Sequence, residues 1–128
     1  YIAVMKLKAV GVSQQEANIL SERLTNKLVS LNKYTVVERE NMDKIIKEQK
    51  FQYSGCTDTQ CAVEIGKLLN SNYIVIGNVS KFGDSYNIDC RIIDVETSEI
   101  LVSASYSHKG KIDILLDEGV NSIANQLY

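Results

Sequence analysis

The first third of the chain changes from a continuous apolar run to a helical spacing of apolar residues. Residues 2–5 are apolar throughout, which is typical of a strand covered on both faces in a parallel sheet. Ser13 and Glu16 have the spacing of a capping box, which begins a helix. The predicted inward face of this helix is Ala17, Leu20, Leu24, Leu28 and Leu31. Residues 34–38 are rich in β-formers, so we predict a strand, a helix and a second, parallel strand.

Two shorter helical patterns follow in the middle of the chain. Met42, Ile45 and Ile46 mark one helix, whose outer face carries lysines. Asp58 can cap the next helix, which includes Gly66, where the missing side chain allows a close backbone approach. The residues predicted to face inward in that helix are Ala62, Ile65, Leu68 and Leu69.

The second half of the chain has an apolar period of two, the period of a strand with one buried face. The pattern predicts strands at 73–81, 86–95 and 100–106, joined by two tight turns. Cys90 falls on the apolar side of the middle strand, so we predict a buried free thiol. A last helix is predicted over 112–127.

These elements predict an α/β fold, organised as one three-layer α/β/α domain that spans residues 1–128. Their order is β-α-β-α-α-β-β-β-α. We predict a mixed five-stranded sheet with the strand order 2-1-3-4-5. Strand 4 is antiparallel to the others because tight hairpins join it to both of its neighbours in sequence.

Composition argues against two classes of function. The net charge of −2 leaves no basic surplus to neutralise phosphates, so we expect no nucleic-acid partner. The sequence also has no stretch of roughly eighteen apolar residues that could span a bilayer as a helix. Because Tyr1 lies inside a predicted strand and is not a methionine, we expect that an upstream segment was removed.

Cys56 and Cys61 lie where a loop is predicted to become a helix. A bent chain of this length can bring their Cα atoms to the roughly 4.4–6.8 Å of a disulfide, which would indicate a location outside the cytosol. A zinc site needs about four ligands, and the further candidates, Cys90 and His108, do not form a ligand-like pair. A redox-active pair usually has two intervening residues, whereas this pair has four. We predict a Cys56–Cys61 disulfide, with zinc, redox chemistry and two free structural cysteines as the alternatives.

The sequence contains no motif that indicates catalysis, a cofactor or a metal. The glycines are scattered singly, and the loop predicted at 8–12 holds only one, so no phosphate cradle is present. His108 lies in a segment predicted to be an exposed loop, without the orienting partner that a catalytic base needs. Five acidic residues near the hairpins could bind a divalent cation weakly, but they lack calcium-loop spacing, so we interpret them as solvated turn residues. They are Asp84, Asp89, Asp94, Glu96 and Glu99.

Phe51 and Tyr53 are the candidate partner-binding residues. They lie on an irregular segment where aromatic side chains could anchor another protein. Alternatively, they pack over the predicted disulfide as local core. A chain with a complete apolar pattern and no convergent polar site is typical of a binding or assembly module.

Four segments of the chain resemble the CsgG family, which includes the curli secretion channel subunit. They are residues 24–28, 34–49, 73–79 and 91–101. The most specific pieces are the strand-to-helix junction 37–39 and the hairpin end 94–100. In its soluble core, the family is similar to the outer-membrane lipoprotein activators of penicillin-binding proteins and to the TolB N-terminal domain.

The resemblance implies an anticodon-binding-domain-like fold and an exported protein of the bacterial envelope without catalytic activity. It further implies a periplasmic, outer-membrane-associated location, with a tether through a lipidated segment upstream of Tyr1. The expected partner is another envelope protein or a second copy of the chain. The loop predicted at 8–12 lacks the aromatic and amide residues that line the channel's constriction, so no pore role is carried over.

Two hypotheses from different functional classes follow. The first is a non-enzymatic interaction or assembly module of the envelope, related to curli-type secretion or to the regulation of envelope enzymes. The second is a small-ligand or enzymatic domain that uses the crevice at the carboxyl ends of the central strands. The resemblance, the cysteine pair and the missing catalytic motifs favour the first.

Overall fold

The structure is a computed structural model, and it describes residues 1–48 and 58–128. The strands of these residues are β1 (Ile2–Val4), β2 (Lys8–Val10), β3 (Tyr73–Phe82), β4 (Ser85–Asp94) and β5 (Ile100–Lys109). The helices of the described residues are α1 (Gln14–Leu31), α2 (Arg39–Glu48), α3 (Thr59–Leu68) and α4 (Val120–Leu127), with a π-helical turn, Leu115–Gly119, before α4. The predicted α/β class is therefore confirmed.

β3 is the centre of the sheet. β1 and β2 pair in parallel with β3, one after the other along its length, with Val4 opposite Val75 and Lys8 opposite Asn78. β4 is antiparallel to β3, and β5 is antiparallel to β4. The prediction of a loop at 8–12 was wrong for β2, because the chain continues along β3 after β1 ends.

The strand predicted at 34–38 is reduced to a single parallel bridge. Val36 lies opposite Ile2, whose N–H donates to the oxygen of Thr35 at 2.8 Å, and the N–H of Val37 donates to the oxygen of Ile2 at 2.9 Å. This segment takes the edge position predicted for the second strand. When the predicted strands are numbered in chain order, with residues 34–38 as the second, the predicted order 2-1-3-4-5 and the antiparallel fourth strand are confirmed. All five strands belong to one sheet, while the assignment of residues 1–128 to a single domain stays a prediction.

α1 and α4 cover one face of the sheet. Their buried residues pack against the strands in a core made of Ile2, Val4, Leu7, Leu20, Leu24, Leu28, Val75, Val79, Ile88, Cys90, Ile92, Ala104, Leu115, Val120, Ile123, Ala124 and Leu127. The predicted capping box is confirmed: the N–H of Glu16 donates to Ser13 Oγ, and the N–H of Ser13 donates to Glu16 Oε1, both at 3.0 Å. Leu31 was wrongly predicted to face inward. It is 37% exposed because the last turn of α1 extends past the core.

A buried serine ties α1 to the break between β1 and β2. Ser21 Oγ accepts the N–H of Leu7 at 2.8 Å and donates to the oxygen of Ala17 at 2.7 Å. The serine thus satisfies a backbone donor that the sheet does not pair, which would otherwise be costly to bury.

α2 and α3 lie on the opposite face of the sheet and form a second, smaller core. Its buried members are Ala3, Met5, Met42, Ile46, Ala62, Val63, Ile65, Leu69, Ile74, Ile76, Ile93 and Val95. The predicted close approach at Gly66 is confirmed, because a Cβ added there would lie 2.5 Å from Val95 Cγ2. Asp58 caps α3 as predicted, with its Oδ1 accepting the N–H of Cys61 at 2.8 Å.

The helix predicted at 112–127 is interrupted at its start by the π-helical turn. Leu115 and Val120 are both buried although they lie five positions apart in the sequence. The wider π turn keeps such a pair on one face, whereas an α-helix would rotate one of them away. α4 proper therefore begins at Val120.

Candidate functional site

The face of the sheet that carries α2 and α3 is left without a helix over its far half, within the described residues. Side chains two positions apart in a strand share a face, so the pairing register places thirteen residues on this uncovered area. We call it the bare face. It consists of Lys8, Val10, Asn78, Ser80, Phe82, Ser85, Asn87, Asp89, Arg91, Ser103, Ser105, Ser107 and Lys109.

Small polar side chains make up most of the bare face. Ser107 Oγ donates to Asn87 Oδ1 at 2.6 Å across β4 and β5. The two apolar members, Val10 and Phe82, are 48% and 86% exposed. Phe82 stands beside the two-residue turn Gly83-Asp84, where Gly83 has a φ of 60°. An aromatic ring this exposed at a hairpin tip makes little contact with its own fold and is available to another molecule.

The charge of the bare face is opposite in sign to that of the chain. Lys8, Arg91 and Lys109 outnumber Asp89, so the face carries a formal charge of +2 while the whole chain carries −2. A shallow depression of about 270 Å³ lies between Arg91, Asp89 and the serines of β5. A flat, polar and cationic surface of this kind suits a polar partner with an anionic surface.

A second concave region lies at the other edge of the sheet. Its volume is about 700 Å³, and its lining combines apolar Val36, Ile45 and Leu69 with the charged Glu38 and Lys44. It runs to the end of α2. Phe51 and Tyr53, the predicted partner-binding residues, lie outside the described residues, so their role stays a prediction.

The three cysteines have different outcomes. Cys61 is in the first turn of α3, and Cys56 lies outside the described residues, so their pairing stays a prediction. Cys90 is the predicted buried free thiol, which the structure confirms. Burial, with a smaller effect of the Asp89 charge, raises the pKa of Cys90 to about 12, so the thiol stays neutral and unreactive at physiological pH.

His108 is not in a loop, contrary to the prediction. It is a half-buried residue of β5, opposite Tyr86 of β4, because β5 extends to Lys109. Asp89 likewise lies in the middle of β4 and is not a turn residue, whereas Asp94 accepts the N–H groups of Glu96 and Thr97 as a turn acid. The described residues contain no group of three or more His, Cys, Asp or Glu placed to hold a metal ion.

The carboxyl end of β1, where a ligand crevice could lie, is filled by the chain itself. Met5 and Leu7 are fully buried there, and pairing with β3 resumes at Lys8. The space at which open α/β sheets often bind ligands is thus taken by two core side chains.

Sequence reasoning missed the bare face. Its signal is nevertheless present in β3, where the alternate residues change from Ile74 and Ile76 to Asn78 and Ser80. The change marks the point at which the covering helices end.

Comparison with solved structures shows the same fold in several proteins of low sequence identity. The LpoB C-terminal domain from Salmonella enterica has a TM-score of 0.69 and 17% identity, over 84% of this chain and 81% of that one. Lipoprotein GNA1162 from Neisseria meningitidis has a TM-score of 0.72 and 16% identity, over 99% and 98% of the two chains. The PelC dodecamer from Paraburkholderia phytofirmans gives 0.60 and 15%, over 99% and 87%.

Sequence comparison places the chain in a family. A search of curated protein sequences found no match. Separately, none of the helices in residues 1–48 and 58–128 has the length and apolarity needed to cross a bilayer. The family model for the curli production assembly/transport component CsgG matches residues 4–87, a range of 84 of the 128 residues. This range includes the junction at 37–39 and ends before the hairpin end at 94–100. The chain belongs to the CsgG family.

Proposed function

We propose that this chain is a non-enzymatic module of the bacterial envelope that binds another envelope protein or assembles with copies of itself. Membership of the CsgG family supports an assembly or transport role of the curli type. The similarity in fold to a lipoprotein and to a protein that forms a dodecamer supports the envelope location and protein–protein contact. We include in the proposal a periplasmic location and an outer-membrane tether upstream of Tyr1.

The bare face is the feature of the structure that best supports a role in binding another protein. It combines an exposed aromatic ring at Phe82 with a net positive charge on a protein that is otherwise acidic. Exposed aromatic side chains often contribute a large share of the energy at protein interfaces, and complementary charge directs the approach of the partner. The partner of this face is therefore a protein with a polar, anionic surface.

Site-specific photo-crosslinking tests the assignment of the face. A photoreactive residue at position 82 should yield a defined crosslinked species in the envelope fraction. The same residue at Ile19, which is 47% exposed on α1, should not. Equal crosslinking from both positions would contradict the proposal.

Charge reversal tests the chemistry of the partner. Lys8→Glu combined with Lys109→Glu should abolish the crosslink from position 82, because it turns the net charge of the face negative. Lys67→Glu combined with Lys111→Glu is the matched control, since it makes the same change of total charge at exposed residues outside the bare face. If both pairs weaken the crosslink equally, only the total charge matters and the face is not the binding site.

The oxidation state of the cysteines tests the location. The proposed Cys56–Cys61 disulfide should form when the native gene is expressed, because the periplasm, the proposed location, is oxidising. Cys90 provides the internal reference, as its buried thiol stays reduced. Mass spectrometry after alkylation distinguishes the two states, and a reduced pair would argue strongly against an exported protein.

A further inference from the structure

Among the strands of residues 1–48 and 58–128, β5 forms an outer edge of the sheet, and it is ten residues long. Such an edge presents a row of backbone N–H and C=O groups that can pair with a strand of another chain. The N–H and C=O of Ser105 point away from β4, because both are bonded to Gln126. Backbone groups alternate in direction along an antiparallel strand, so those of Ser103 and Ser107 also point outward.

The side-chain amide of Gln126 occupies the middle of this edge. The N–H of Ser105 donates to Gln126 Oε1 at 3.2 Å, and Gln126 Nε2 donates to the oxygen of Ser105 at 2.9 Å. The amide thus makes both of the hydrogen bonds that an added strand would make at this residue. Nε2 also donates to Ser122 Oγ at 3.0 Å, one turn earlier in α4, which fixes the amide in place.

The edge of β5 could pair with the same edge of a second copy of the chain. If two copies of β5 paired antiparallel about a two-fold axis through Ser105, Ser103 would lie opposite Ser107, and Ala104 opposite Tyr106. This central stretch brings no two like charges together, and small side chains permit a close approach. The edge alone would therefore favour a dimer.

We propose that the Gln126 amide prevents a second copy of this chain from pairing through the edge of β5. With Gln126 in place, the ten-residue edge is divided at its centre into two pieces, each too short to hold a strand. Association through other surfaces, including the bare face, is unaffected, so this inference is independent of the function proposed above.

Sedimentation velocity of Gln126→Ala tests the inference. We expect the self-association constant to rise about tenfold or more, which corresponds to about 1.4 kcal/mol, because two-fold pairing at Ser105 would regain the backbone hydrogen bonds that the amide now replaces. Asn125→Ala is the matched control, since Asn125 is the exposed neighbouring amide of the same helix. It should behave like the unmodified protein.

Two further variants separate edge pairing from a general loss of stability. Ser103→Pro added to Gln126→Ala should restore the original association constant, because it removes an outward N–H without breaking the ladder to β4. Gln126→Glu should stay unassociated at neutral pH, since two carboxylates would meet at the two-fold axis. The inference is overturned if folded Gln126→Ala associates no more than Asn125→Ala, or if Ser103→Pro fails to reverse its association.

Discussion

The two faces of β3 differ although they share one backbone. On one face Val75 and Val79 are buried, while on the other Ile74 and Ile76 are buried but Asn78 and Ser80 are only half-buried. Helix length accounts for the difference. α1 has eighteen residues and reaches about 27 Å, whereas α3 has ten and reaches about 15 Å beside strands of about 33 Å. A helix shorter than the strands beneath it leaves part of the sheet uncovered, and here the uncovered part is the polar bare face.

The largest effect should come from replacing neighbours in β4 that point to opposite faces. Ile88→Ala empties a buried position and should lower the free energy of unfolding by about 3 kcal/mol. Asn87→Ala removes a half-exposed amide and one hydrogen bond to Ser107, and should cost about 1 kcal/mol at most. Urea denaturation of both variants measures the contrast. Similar losses would mean that the bare face is part of the core.

The next most sensitive position should be a glycine on the face that α1 and α4 cover, which we call the covered face. A Cβ at Gly77 would collide with the carbonyl oxygen of Asp89 and lie 2.8 Å from Cys90 Sγ. Gly77→Ala should therefore lower stability by about 2 kcal/mol. Gly83→Ala is the control at the hairpin tip: nothing lies within 4 Å, so only its positive φ of 60° costs energy, about 1 kcal/mol. A reversed order in thermal or urea unfolding would contradict this account.

Alkaline pH should lower the free energy of unfolding through two groups that pack on the covered face. The pKa of Cys90 rises from 9.0 to about 12 on burial, and that of Tyr128 from 10.0 to about 12. The unfolded chain loses these protons first, so stability is intact below about pH 9 and falls as the pH rises towards 12. At pH 10 the loss from Cys90 should be about 1 kcal/mol.

The control for the alkaline effect is Cys90→Ala. Its free energy of unfolding, measured in urea between pH 8 and pH 11, should fall less steeply than that of the unmodified protein, although the variant starts from a lower value. Parallel curves would show that the thiol does not contribute to the pH dependence.

The smallest effect should come from the exposed ring on the bare face. Phe82→Ser should change the free energy of unfolding by no more than about 0.5 kcal/mol, because the ring is 86% exposed. A calorimetric melting curve checks this. If stability falls by several kilocalories per mole, Phe82 is a core residue and its proposed role in recognition is wrong.

Local signals in the sequence were sufficient for most of the fold. Ser13 and Glu16 satisfy each other within four residues, and the alternation in β4 places Cys90 in the core without knowledge of any distant contact. The strand meander follows from the same alternation and its turns. These features could be predicted because the interactions that cause them lie close together in the chain.

The errors arose where distant segments decide the outcome. Residues 8–10 become a strand only because β3 continues beside them, and residues 34–38 pair only at Val36. The spacing between Leu115 and Val120 fits a π turn that the usual helical period does not include. The bare face was missed because alternation tells which side chains share a face, but not which helix is long enough to cover them.

The turn between β3 and β4 has a consequence for how this scaffold can grow. Ten consecutive residue pairs, from Tyr73 with Asp94 to Phe82 with Ser85, lie in unbroken register behind only two turn residues. Residues inserted in matched pairs at the tip would lengthen the ribbon outward while every contact behind them stayed the same. An insertion of one residue on one side would instead shift the pairing at the tip. The hairpin tip is thus a place where a related protein can accept a longer insertion while its core packing stays unchanged.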